Sequence, residues 1–81
     1  MHLEIVTPDK KVFEGKVISS TFPGADGTFQ ILNSHAPIIS PLVNGIISFE
    51  EENGTKNSIE VTGGVVEVSN NKIIVLAESA K

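Results

Sequence analysis

The stretch Pro23-Gly-Ala-Asp-Gly-Thr-Phe-Gln-Ile-Leu-Asn-Ser-His-Ala-Pro-Ile-Ile39 says more than the rest of this chain. Gly24 and Gly27 bracket one acidic residue, Asp26, and a short apolar strand follows. Glycine tolerates the positive φ of tight turns, so residues 24–27 read as a turn. A phosphate cradle would need a longer glycine-rich loop with Lys-Ser/Thr opening a helix, and this segment opens a strand. Asn33-Ser34 makes a second polar turn, and His35-Ala36-Pro37 leads into Ile38-Ile39. Two tight loops flanking one strand hold two small surfaces rigidly near each other. That suits docking better than bond-making chemistry.

Outward from this stretch, the same strand-and-turn grammar repeats. Leu3 and Ile5 alternate with His2, Glu4 and Val6; Ile18, Ser20 and Phe22 alternate with Val17, Ser19 and Thr21. Ile59 and Val61 alternate with Glu60 and Thr62, and Ile73 and Val75 sit between Lys72, Ile74 and Leu76. Period-two alternation in segments rich in Val, Ile, Thr and Phe predicts half-buried strands. Pro8-Asp9-Lys10 ends the first strand. Asn44-Gly45 predicts a two-residue hairpin, because a type I′ turn needs positive φ at both central positions, and Asn53-Gly54 closes the next hairpin, after Glu50-Glu51-Glu52. Asn70-Asn71 turns the last hairpin. Gly15 inside a strand predicts a bulge or bend, and Pro41, which cannot donate to a ladder, predicts an edge strand. Gly63-Gly64 between apolar strands predicts close backbone approach or a sheet-to-sheet corner. Only Ala77-Glu-Ser-Ala-Lys81 has helical composition. The sum is an all-β domain over residues 1–81, a sandwich or barrel.

The totals narrow the function. With 81 residues the chain makes one small domain of modest stability, which assembly with partners would raise. It has no cysteine, which removes disulfides, thiolate metal sites and Cys nucleophiles together. The net charge is −4 and the lysines are scattered, so the basic footprint of a nucleic-acid binder is missing. No apolar run approaches the roughly 20 residues of a membrane helix, and Met1 to Val6 does not read as a signal peptide. Membrane association would therefore go through a partner, without direct insertion.

No constellation of catalytic groups is visible. His35 is the obvious candidate, but Asp26 lies across a strand from it and His2 lies on the first strand, so neither makes a metal or base arrangement with it. Glu50-Glu51-Glu52 alternates faces and cannot converge on a cation; it reads as a solvated hairpin tip. No Gly-x-Ser-x-Gly elbow occurs. No cofactor, metal or nucleotide site is assigned. A free-standing β-sandwich ligand-binding module is the alternative reading. It lacks the usual aromatic platform, since there is no Trp or Tyr and the four Phe lie in strand-like stretches.

Several motifs, taken in order, resemble a known family. These are His2-Leu-Glu-Ile-Val-Thr-Pro8, Val12-Phe-Glu-Gly15, Phe22-Pro-Gly-Ala-Asp-Gly27, His35-Ala-Pro-Ile38, Thr62-Gly-Gly-Val-Val-Glu-Val68 and Asn71-Lys-Ile-Ile-Val-Leu-Ala-Glu-Ser-Ala80. Their order and spacing resemble the N-terminal domain of the epsilon subunit of F-type ATP synthase, called delta in mitochondria, over essentially the whole chain. The resemblance implies a flattened sandwich of two mainly antiparallel sheets, about five strands each. It implies a non-catalytic rotor subunit of the central stalk, linking the gamma subunit to the membrane c-ring of a proton-translocating synthase. It is then peripheral, on the cytoplasmic face of the bacterial inner membrane, and not an obligate homo-oligomer. The family's ring-facing loop falls on Ala25, Asp26, Gly27 and Thr28. The family often has an acidic residue where Thr28 stands, and Asp26 is the charge available instead. The gamma-facing positions fall on Thr7, Pro8, His35, Ala36, Pro37 and Ser40. Asn33-Ser34 stands where the family commonly has Pro-Gly. Most bacterial members continue into two C-terminal helices that restrain ATP hydrolysis. The sequence reaches Lys81, where those helices would begin, so the resemblance assigns neither inhibition nor nucleotide binding to these residues.

Overall fold

The computed structural model describes all 81 residues, Met1–Lys81. Eight strands follow in order: β1 His2–Val6, β2 Lys11–Gly24, β3 Gly27–Leu32, β4 Ile38–Leu42, β5 Gly45–Glu51, β6 Lys56–Val61, β7 Gly64–Ser69 and β8 Lys72–Ala77. They pair as two layers sharing one strand. Layer one runs β4-β7-β8-β1 and ends on the first half of β2. Layer two runs β3, the second half of β2, β5 and β6. All pairs are antiparallel except β1–β8. A fifth segment joins layer two at its edge: Lys81 N–H donates to Glu60 C=O at 2.9 Å, and Ala80 bridges Val61. The expectation of about five strands per sheet is met by this sharing and this edge segment. The helical composition of Ala77–Lys81 is overridden, because Ala77 completes β8 opposite Gly64 and the open edge of β6 offers Ser79 to Lys81 backbone partners.

The alternation locates the core on β1, β8 and the end of β6, and misplaces Ile18 on β2. Leu3, Ile5, Ile73, Val75 and Val61 are buried between the layers with Phe22, Ile31, Ile47 and Val66. Phe13 packs against Phe49 with ring centroids 4.4 Å apart, which closes one end of the core.

Irregular positions differ from expectation in instructive ways. Gly15 pairs regularly with Leu3, so it is not a bulge; the Phe13 ring lies over it, where a Cβ would come within 3.1 Å. The register instead slips between Ile5 and Val6 against β2, and between Val17 and Ser19 against β5. The second slip leaves Ile18 as the extra residue, turned outward and 46% exposed, while Val17, Ser20 and Phe22 face the core. This bulge is where β2 passes from one layer to the other, as extra residues bend and twist a strand. Asn44-Gly45 is not a hairpin either, since β4 pairs with β7 and β5 pairs with β2 and β6. Neither residue has positive φ. The glycine is needed for contact: a Cβ on Gly45 would lie 2.7 Å from Pro23 Cβ. Asn70 and Asn71 both adopt left-handed φ, 52° and 59°, as a type I′ turn requires. At Gly64, with φ 145°, a Cβ would sit 2.2 Å from the Leu76 carbonyl oxygen, so Gly63-Gly64 does permit close approach.

Candidate functional site

The hairpin tip between β2 and β3 gathers Ala25, Asp26, Gly27 and Thr28, all exposed. Gly24 pairs with Gly27, and Gly27 takes φ 124°, leaving Ala25 and Asp26 as the two turn residues. The base of the hairpin is fastened to the end of β4. Ala25 N–H donates to Pro41 C=O at 3.1 Å, and Val43 N–H donates to Pro23 C=O at 2.9 Å. Asp26 therefore projects from a doubly anchored tip.

The second loop, residues 33–37, carries His35, Ala36 and Pro37, all exposed. His35 Nδ1 lies 2.7 Å from the Ala36 carbonyl oxygen. The loop is tied to the β7–β8 turn: Ser34 N–H donates to Asn71 Oδ1 at 2.9 Å. Asn71 and Pro41 mark opposite ends of layer one, because Pro41 pairs with Val65 near the start of β7 and Asn71 follows its end. The two loops are thus held rigidly but not near each other. The six residues of β3 separate them by roughly 20 Å.

Thr7 and Pro8 form the β1–β2 turn, where Thr7 N–H donates to Lys10 C=O at 2.9 Å and Thr7 Oγ1 donates to the same oxygen at 3.3 Å. This turn lies at the Pro41 end of layer one, across the sheet from β4. The His35 loop lies at the other end. Ser40 pairs with buried Val66 and so sits on the inner side of the β4 edge, half-buried, with its hydroxyl on Pro41 C=O at 3.1 Å. The structure therefore spreads Thr7, Pro8, His35, Ala36, Pro37 and Ser40 around the rim of layer one.

What joins this rim was not singled out from the sequence. The outer face of layer one carries a continuous apolar ladder. Pro41 stands opposite Val65, Val65 opposite Leu76, and Leu76 opposite Val6. Beside it run Ile39, Glu67, Ile74 and Glu4. Ile39 is 70% exposed and Leu76 52%. A strand with one solvated face alternates, whereas a strand covered on both faces reads as a continuous apolar run. Ile73-Ile74-Val75-Leu76 and Val65-Val66 are such runs, and that was the available signal.

The rest of the outer face is charged. Lys11 Nζ reaches Glu14 Oε1 at 2.6 Å and Glu4 Oε2 at 3.5 Å, and His2 Nε2 lies 3.0 Å from Glu14 Oε2. The hydrogen bond from Lys11, then that from His2, holds the Glu14 carboxyl below its ordinary value. Layer two presents a different outer surface, an open trough of about 360 Å³ lined by Ser19, Thr21, Ser48 and Ser58 among others. It is lined by Glu50 but by none of the residues expected to face the ring or gamma. No group of three or more His, Cys, Asp or Glu side chains comes together, and no helix is long and apolar enough to cross a membrane.

The family model described as "ATP synthase, Delta/Epsilon chain, beta-sandwich domain" matches residues 1–81. The chain belongs to this family. A relative from Nitratidesulfovibrio vulgaris (strain DP4), named ATP synthase epsilon chain, is 47% identical over 81 residues, which is 100% of this chain and 60% of that protein. A relative of the same name from Chlorobium limicola is 43% identical over 76 residues, 94% of this chain and 86% of that protein. This chain thus spans somewhat less than two thirds of the first relative and most of the second. Among solved structures, a chain of the Euglena gracilis mitochondrial ATP synthase, described as OSCP/F1/c-ring in rotational state 1, superposes with a TM-score of 0.91. It is 22% identical and the match covers 98% of this chain and 51% of that one. A chain of the Tetrahymena thermophila mitochondrial ATP synthase central stalk and c-ring gives a TM-score of 0.82 at 21% identity. At such identities the likeness establishes the family's sandwich fold.

Proposed function

We propose that this chain is the sandwich domain of a non-catalytic central-stalk subunit that links the gamma subunit to the c-ring of a proton-translocating ATP synthase. The observation that carries this reading is the apolar ladder Pro41–Val65–Leu76–Val6, open to solvent on the outer face of layer one. An apolar stripe across four strands, rimmed by charge, is the anatomy of a protein-binding face. The ladder is the surface offered to gamma, with Thr7-Pro8 at one end and the His35–Pro37 loop beyond its charged flank. Its other end is Pro41, which is bonded to the Ala25–Thr28 hairpin. That hairpin is the c-ring contact, and Asp26 supplies its charge. The complex stands at the cytoplasmic face of the bacterial inner membrane, and this subunit reaches the membrane only through its partners.

Calorimetric titration of the chain with its cognate gamma subunit tests the reading. A one-to-one complex of micromolar affinity or tighter is expected; absence of both heat and co-purification refutes it. In reconstituted membranes, Asp26→Lys should weaken coupled proton pumping while leaving gamma binding and the melting temperature in place. Unchanged pumping would remove the hairpin from the ring contact.

A further inference from the structure

Two turns far apart in sequence meet at the His35 end of layer one. Ser34 has φ 63°, Asn71 φ 59° and its neighbour Asn70 φ 52°. Asn visits this left-handed region readily because its side chain bonds locally; Ser has less claim to it and needs holding. The Asn71 amide uses both of its ends for this. Its Oδ1 accepts the Ser34 N–H at 2.9 Å, and its Nδ2 donates to Asn33 Oδ1 at 2.9 Å. The Asn71 carbonyl accepts the His2 N–H at 3.2 Å, so the same residue is fastened to β1. Beyond Ser34 come three exposed residues, His35 to Pro37, whose one side-chain hydrogen bond is internal to the loop. Asn71 is therefore the last fixed point before them.

The geometry points to Asn71 as a positioning residue: its side chain clamps Asn33-Ser34 and so presents the His35–Pro37 loop in a single conformation. Presenting a loop already ordered lowers the cost of ordering it on binding. The clamp itself stands on the hydrogen bonds above. Its consequence for affinity rests on the gamma contact proposed in the preceding section.

The test compares two neighbouring glycine substitutions. Asn71→Gly keeps the left-handed backbone and removes the clamp. Asn70→Gly eases the same turn and leaves the clamp intact. Amide exchange followed by NMR should accelerate roughly five- to thirtyfold at Ser34 in Asn71→Gly and stay near parental in Asn70→Gly. Val66 and Val75 in the adjoining strands should be unmoved in both. Asn71→Asp, which retains the acceptor for Ser34 N–H, should restore protection. Equal exchange at Ser34 in the two glycine variants overturns the clamp. For gamma, Asn71→Gly should weaken binding roughly three- to tenfold at an unchanged melting temperature. A loosened loop with parental affinity leaves the clamp standing and removes His35–Pro37 from the gamma contact. Failure of the parent chain to bind gamma refutes the stalk reading and leaves the exchange result intact.

Discussion

Leu76→Glu separates the proposed docking face from the fold. Leu76 is 52% exposed in the chain and stands in the middle of the ladder, between Val65 and Val6. Full burial of a leucine is worth about 1.5–3 kcal/mol, so covering the exposed half contributes about 1 kcal/mol to binding. Glutamate forfeits that and places an uncompensated carboxylate in the contact, a further cost of about 3 kcal/mol. The sum is about 4 kcal/mol, or roughly a thousandfold in Kd. In the free chain the new carboxylate points to water, so stability should move by less than about 1 kcal/mol. The assay is calorimetric titration against gamma with a thermal melt of each variant. Ser48→Glu, on the outer face of layer two, serves as the matched control and should bind as the parent does. If Leu76→Glu bound gamma within about threefold of the parent while melting normally, the ladder would not be the docking face.

Three further outcomes follow from the interior and the charged rim. Ser20 is 1% exposed and its hydroxyl has no partner, so Ser20→Ala should raise stability by about 1 kcal/mol and the melting temperature by about 4–8 °C; a fall would show that the hydroxyl is satisfied. Gly64→Ala combines left-side φ strain with a Cβ overlapping the Leu76 carbonyl, and should cost about 3 kcal/mol or more of a total near 4–12 kcal/mol; a melt within a few degrees of the parent would contradict it. The Glu14 carboxyl is held below its ordinary value of 4.5 by Lys11 first and His2 second. A depressed carboxyl contributes stability that is present above its unfolded value and lost as pH falls through the folded one. Glu14→Gln should therefore flatten the acid limb of the melting-temperature profile below about pH 4.5, and superimposable limbs would refute the pairing.

Most of the fold was legible because burial on one face forces alternation. Leu3, Ile5, Ile73 and Val75 announced themselves, and all are buried. What escaped was information that short-range pattern does not carry. Asn44-Gly45 looks like a hairpin because glycine serves both positive φ and close contact; which use applies depends on Pro23, on the adjacent strand β2 and far away in sequence. The slip at Ile18 is set by the passage of β2 between layers, and so the simple alternation assigned Ile18 to the wrong face. Ser79 to Lys81 follow the free edge of β6 rather than their own propensity. The candidate site divided in the same way. The two loops were legible from Gly, Asn and Pro, whereas the ladder is assembled from β1, β4, β7 and β8, and only the register brings Val6, Pro41, Val65 and Leu76 into one line.

That register also bears on how such a module would carry load. The hairpin proposed to meet the ring is bonded to Pro41 and Val43, at the end of β4. Pro41 is itself the first rung of the ladder proposed to meet gamma. Force applied at Asp26 would thus reach the face proposed for gamma through two backbone hydrogen bonds and one strand, with no linker between. β2 continues the same hairpin into both layers, so a displacement of the tip must shear ladders on either side of the core. Stiffness in this chain comes from the sharing of β2 and the fastening of β4, rather than from the size of a core that 81 residues can build.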